Sequence, residues 1–248
     1  MRAVMNGVYQ AFTSLVIALL VVAPGGCATG LPTYPPLSDA DSLRMIAARL
    51  ESVRSISASV DLTLTNAQGQ TVALEGAFVA RPPDHARLRA WKFGSPVLDL
   101  TILPGGVWAF AATRDGSPST DMTTIPAMGV SQSIELLSGA YFAGAHAVDG
   151  KAANATLVVV GTAFGRDDAR CEIDRATLTP RRFLLTGGET GMVLLLDRYS
   201  LIGGVVWARR MEFRSADGTI VMHLGDVELN GELPENAFVP PGRAVRLP

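Results

Sequence analysis

The sequence predicts an α+β fold, mainly β: a curved antiparallel meander sheet, an incomplete barrel of about eleven strands, with helices covering its concave apolar face. Three observations carry this. Segments of alternating apolar and polar residues recur along most of the chain. Hairpin-length turn signals separate nearly all of them, so consecutive strands should be neighbours. And only two stretches have helical periodicity, which is little cover for so large a sheet. A long antiparallel sheet must curl or split into two layers. A flat β-sandwich is the competing arrangement, but it gives the amphipathic helices no place.

The elements follow in order. Ala28 to Leu37 holds Pro32, Pro35 and Pro36, a composition suited to an extended tether. Ser38 has the character of a helix N-cap, with Asp39 and Asp41 complementing the helix dipole in the first turn. Leu43, Ile46, Ala47, Leu50 and Val53 then make one apolar stripe, and the helix should end near Val53. From Ser55 to Thr65 alternation is strict: Ile56, Ala58, Val60, Leu62 and Leu64 face one way, with Ser, Asp and Thr between them. Further strands fit Thr71 to Ala80, Ala86 to Phe93, Pro96 to Leu103 and Val107 to Ala112. Ser131 to Phe142 reads as a second helix, with Ile134, Leu137 and Tyr141 on one side, weakened by Gly139. Six strands complete the count: Ala155 to Phe164, Ala169 to Arg175, Arg181 to Thr186, Met192 to Ser200, Val205 to Arg214 and Thr219 to Leu229.

The N-terminus has the layout of a secretion signal: Arg2, an apolar run from Leu15 to Ala23, then Pro24-Gly25-Gly26-Cys27. The run is about half the roughly 20 residues a spanning helix needs. Small residues followed by Cys27 resemble the lipobox of bacterial lipoproteins, in which the Cys sulfur is lipidated. Pro24 departs from the box, which prefers Leu there. The domain reading is therefore residues 1–26 as signal, 27–37 as a lipidated tether and 38–248 as one domain. A plain secreted protein cut nearby is the competing reading. With Cys27 used, Cys171 has no disulfide partner, and it reads as a small buried hydrophobe. Removing the signal, with its lone charge Arg2, moves the formal net charge from -2 to -3. That gives no electrostatic reason to bind nucleic acid.

The order of elements resembles the LolA/LolB family of periplasmic lipoprotein carriers. The local matches are Gly76-Ala77-Phe78-Val79-Ala80-Arg81-Pro82, Phe93-Gly94-Ser95-Pro96-Val97-Leu98-Asp99-Leu100, and the tail Glu235-Asn236-Ala237-Phe238-Val239-Pro240. With Cys27 they point to the membrane-anchored, LolB-like side. The resemblance implies a half-barrel whose cavity, between sheet and helices, takes acyl chains of lipoproteins or lipids. It implies a place at the periplasmic face of the outer membrane, a soluble periplasmic carrier as partner, and a role in lipoprotein localisation. It makes Phe93 a loop residue that enters a bilayer or guides a chain across. It gives Arg81 the task of closing the cavity mouth on lid backbone. The alternative readings are that Phe93 packs at a strand end and that Arg81 is a solvated turn residue.

Acyl chains ask for apolar area and no catalytic group, since burying a methylene gains about 0.8 kcal/mol. The expected lining is Leu62, Leu64, Leu74, Phe78, Leu98, Leu100, Trp108, Leu194, Leu196, Trp207 and Met222. Each of these also reads as ordinary core. His85, His146 and His223 are isolated, and no Cys-x-x-Cys or Gly-x-Ser-x-Gly occurs. The expectation is a monomer that is no enzyme and needs no metal or cofactor. An envelope sensor that passes a signal to a partner, or a structural lipoprotein with a filled core, would use the same fold.

Overall fold

The computed structural model describes residues 30–112, 134–136, 138–148, 155–163, 166–185 and 191–247, with Arg166 and Asp167 described by backbone alone. The proposed signal and Cys27, the start of the expected second helix and Leu137 lie outside these residues. Of the two units into which the chain divides, the account below concerns the one beginning at Leu31.

Helix α1 spans Asp39–Glu51. Ser38 caps it as expected, its Oγ accepting from the Asp41 N–H at 3.1 Å. Leu43, Ile46, Ala47 and Leu50 are all buried, and Val53 follows them in just past the helix. Strands β1 (Ile56–Asn66), β2 (Thr71–Arg81), β3 (His85–Lys92), β4 (Ser95–Leu103) and β5 (Gly106–Ala111) come next. Helix α2 (Gly139–Gly144) follows, then β6 (His146–Ala147), β7 (Thr156–Ala163), β8 (Arg166–Asp174), β9 (Thr179–Leu185), β10 (Met192–Ile202), β11 (Val205–Ser215), β12 (Gly218–Leu229) and β13 (Val245–Arg246).

Among the described residues the strands form one open antiparallel sheet, ordered β13-β5-β4-β3-β2-β1-β12-β11-β10-β9-β8-β7-β6. The eleven expected strands are all present. The two additional ones, β6 and β13, have two residues each and lie at the two edges. The simple meander is corrected. There are two meanders, joined where the first long strand pairs with the last, Leu62 opposite Met222 and Val60 opposite Leu224. The chain between β5 and β6 passes from one edge of the sheet to the other, carrying α2 with it.

The second helix is also corrected. Ile134, Glu135 and Leu136 are helical, Ser138 interrupts, and α2 is a separate six-residue helix. Gly139 opens it because a Cβ there would lie 2.6 Å from the Ala47 carbonyl oxygen of α1. The glycine lets two helices touch, a role that helix propensity does not express.

The sheet curls where side chains are small and where its ladders slip. A Cβ on Gly76 would lie 2.6 Å from the Arg89 carbonyl oxygen, so β3 folds in closely against β2. Register shifts fall at Ser57/Ser59, Ala90/Trp91, Gly161/Ala163 and Glu172/Ile173. Such irregularities increase local bend and twist. The core lies on the concave side, between the sheet and the two helices.

Candidate functional site: the concave face and its helical cover

Register assembles the concave face from residues far apart in sequence. Leu196, Met211, Met222, Leu62 and Leu74 form one row across five strands, each opposite the next. Leu194, Phe213, Ile220, Leu64 and Val72 form the next row. On the other side of β1, Phe78, Leu88, Leu100 and Ala109 line up across β2 to β5, and Leu98 stands opposite Ala90. Thus Leu62, Leu74, Phe78, Leu98, Leu100, Leu194, Leu196 and Met222 share one buried apolar cluster, and Leu64 is half-buried beside them. Met211, Phe213, Ile220 and Leu88 belong to the same surface. Their alternation within β11, β12 and β3 could have identified them.

Trp108 is a correction. In β5 the inward residues are Val107, Ala109 and Ala111, opposite Ile102, Leu100 and Leu98. Trp108 stands opposite Thr101 on the convex side, with the Arg246 guanidinium 5.8 Å from its ring. Trp207 is buried in the core, and its indole Nε1 meets no acceptor among the described residues.

The cover is held by a handful of polar bonds and close contacts. On α2, the Tyr141 hydroxyl donates to the Ala169 carbonyl at 2.9 Å, and burial pushes its phenol pKa up. Tyr141 and Phe142 meet Phe183 of the sheet edge-on, with ring centroids 5.4 and 6.0 Å away. Helix α1 and the segment before it are tied to the β8–β9 turn. Arg49 donates to the Leu178 carbonyl, Asp39 pairs with Arg175 at 2.7 Å, and the Tyr34 N–H donates to Ala176 O at 2.8 Å. Burial lowers the Arg49 pKa, opposed by the neighbouring tyrosines Tyr199 and Tyr34. None of these three ties was visible in the sequence, because each joins residues more than a hundred positions apart.

Arg81 is exposed at the end of β2, with its guanidinium 5.5 Å from the Phe238 ring of the C-terminal segment. Among the described residues it makes no hydrogen bond to helix backbone. Phe93 is 97 % exposed. It sits at the β3–β4 hairpin tip with φ +52°, followed by Gly94 at +77°, the two-residue turn that suits a twisted hairpin. The Lys92 Nζ lies 5.9 Å from its ring. The strand-end packing that the sequence left open for Phe93 does not fit that exposure. Cys171 is fully buried, as expected of a small hydrophobe, and burial pushes its thiol pKa up.

The convex face carries ion pairs. Arg87 grips Asp99 through two bonds of 2.9 and 2.8 Å. Glu212 accepts from Arg214 and Arg210. Burial raises its pKa, but those two guanidiniums outweigh burial and hold the carboxyl below its ordinary range. Among the described residues no three His, Cys, Asp or Glu side chains converge on a metal-sized site, and no helix is long and apolar enough to cross a membrane.

No family model and no curated protein matches the chain in sequence. Solved structures match in fold. A DUF1329 family protein from Desulfovibrio piger shares 10 % identity at TM-score 0.56, over 81 % of this chain and 95 % of that one. A LolA superfamily protein from Nitrosomonas europaea shares 11 % at TM-score 0.55, over 79 % and 97 %. An outer membrane lipoprotein-sorting protein domain from Vibrio parahaemolyticus shares 15 % at TM-score 0.53, over 81 % and 95 %. At these identities the likeness is one of fold: the chain has a LolA-like half-barrel.

Proposed function

We propose that this chain is a lipid-anchored envelope protein that reversibly captures acyl chains of lipoproteins or lipids between its curved sheet and α1. The observation that carries the reading is the kind of cover the apolar face has. Among the described residues it is covered by one amphipathic helix and short helical pieces, not by a second sheet.

Magnitudes favour reversible exchange. Burying Leu43, Ile46, Leu50 and Val53 is worth roughly 1.5–3 kcal/mol each, so the helix face contributes roughly 6–12 kcal/mol. A sixteen-carbon chain offers about 15 methylene-sized groups, or about 12 kcal/mol on the same scale. The two are comparable, so a chain can replace helix contacts without being held irreversibly. Such capture needs no catalytic group.

In this reading residues 1–26 are removed, Cys27 carries lipid, and residues 27–37 connect the anchor to the domain. An exposed Phe at a hairpin tip suits insertion into the outer part of a bilayer. Together with the anchor it favours the LolB-like side, receiving lipoproteins from a soluble carrier at the periplasmic face of the outer membrane. To test this, the mature domain carrying Cys27→Ser is purified and examined by native mass spectrometry. Co-purified acyl lipid is expected, and a ligand-free protein that takes up no added lipid contradicts the reading. Depletion of the protein in cells then separates a carrier, whose loss strands other lipoproteins in the inner membrane, from a sensor, whose loss does not.

A further inference from the structure

Of the buried polar side-chain atoms without a hydrogen-bond partner among the described residues, two belong to uncharged side chains. Trp207 is 2 % exposed, and its Nε1–H donates to nothing among the described residues. Ser200, directly opposite it on β10, has a buried Oγ that is likewise unpaired. Cross-strand partners share a face of the sheet, so the two side chains are neighbours. Buried indole N–H groups ordinarily find an acceptor, and an orphan pair in one place calls for an explanation.

The pair has a definite location. It lies beside the Gly203–Gly204 turn, at the same end of the sheet as the β8–β9 turn to which α1 is tied. Met211, in the row of purely apolar residues, is four positions further along β11, or about 13 Å at strand rise. One end of the interior thus offers hydrogen-bond donors, and the middle offers hydrocarbon.

We infer that Trp207 Nε1 and Ser200 Oγ bind the ester or amide carbonyl oxygen of an acylated ligand, with the acyl chain lying along the leucine and methionine rows. A carbonyl oxygen has two lone pairs and no proton, so it can accept from both donors at once. A hydrocarbon tail alone cannot. This inference rests on the acyl-capture reading and specifies its ligand: chains joined through a carbonyl, as in acylglycerols and acylated proteins.

The test compares dipalmitoylglycerol with dihexadecylglycerol, which has ether links and no carbonyl, on the mature Cys27→Ser protein. The protein should bind the ester at least about three- to tenfold more tightly, the range expected of each net hydrogen bond. Trp207→Phe keeps the ring and removes one of the two donors, so it should reduce the preference for the ester, and Trp207→Phe combined with Ser200→Ala should bind both probes alike, at the ether's affinity. As a check that needs no substitution, the Trp207 indole N–H resonance should shift with the ester and not with the ether. Equal affinity for the two probes in the unsubstituted protein, or an indole resonance indifferent to the ester, overturns the carbonyl site and leaves acyl capture standing. Failure to bind either probe overturns both.

Discussion

Gly139→Ala sets two effects of opposite sign against each other. A helix residue changed from Gly to Ala gains up to about 1 kcal/mol from backbone propensity. The new Cβ, however, lies 2.6 Å from the Ala47 carbonyl oxygen and 2.4 Å from Glu51 Cγ. The Glu51 side chain can swing away, but the Ala47 oxygen is part of α1's backbone. Relieving it means pushing α2 off α1, and overpacking of this kind costs about 1–3 kcal/mol. The clash should win, with a net loss of about 1 kcal/mol and a Tm lower by about 2–4 °C for a chain of this size. Thermal unfolding followed by circular dichroism gives the sign. Amide hydrogen exchange should show α2 and the end of α1 losing protection while β1 and β12 keep theirs. A substituted protein as stable as the original, or more stable, would refute the idea that Gly139 exists for helix contact.

Phe93→Asn should separate stability from membrane contact. Asn tolerates the positive φ of this turn better than Phe, so stability should hold or rise by up to about 1 kcal/mol. Binding to anionic phospholipid vesicles, measured by co-sedimentation, should fall at least severalfold; unchanged binding would remove Phe93 from the membrane contact. Asp99→Ala leaves the Arg87 guanidinium enclosed without its partner, and removing one side of such a pair costs about 3 kcal/mol. A loss below about 1 kcal/mol in urea unfolding would mean that solvent already screens it. For pH, Glu212 and Asp174 both have folded pKa values below their unfolded ones. Burial opposes the lowering in each, and bonds from Arg214 and Arg210, or from Thr177 and Arg181, outweigh it. Their stabilisation is therefore complete above the unfolded carboxylate range, about pH 4, and is lost as pH falls through the folded values. Stability measured from pH 7 downward should stay flat to about pH 5 and drop below about pH 4, and Glu212→Gln should flatten that drop.

What the sequence reveals and conceals here divides along physical lines. Strict alternation in Ile56 to Leu64 specifies a strand and its inward face, and the structure has both. Ser38 with Asp39 and Asp41 specifies a helix start for purely local reasons. In Val107-Trp108-Ala109-Phe110 every residue is apolar, so alternation carries no sign and leaves the outward place of Trp108 unmarked. The pairing of β1 with β12 joins residues some 160 positions apart, as Leu62 to Met222, and no local pattern encodes it. Strands β6 and β13 are too short to show a period. Of the site, Leu62, Leu74, Leu100, Leu194, Leu196 and Met222 are legible because burial and alternation coincide. The ties that hold the cover, Arg49 to Leu178 and Asp39 to Arg175, exist only once the chain is folded.

The most direct measurement is methyl NMR of the mature Cys27→Ser domain titrated with a stearic acid carrying a nitroxide near its tail end. If acyl chains enter between sheet and α1, methyl signals of Leu62, Leu100, Leu194 and Leu196 broaden first, while outward-facing Leu184, Leu195 and Val221 stay sharp. Broadening confined to the outward residues and the hairpin tip, or none at all, would mean that hydrocarbon never reaches the inside of the curve.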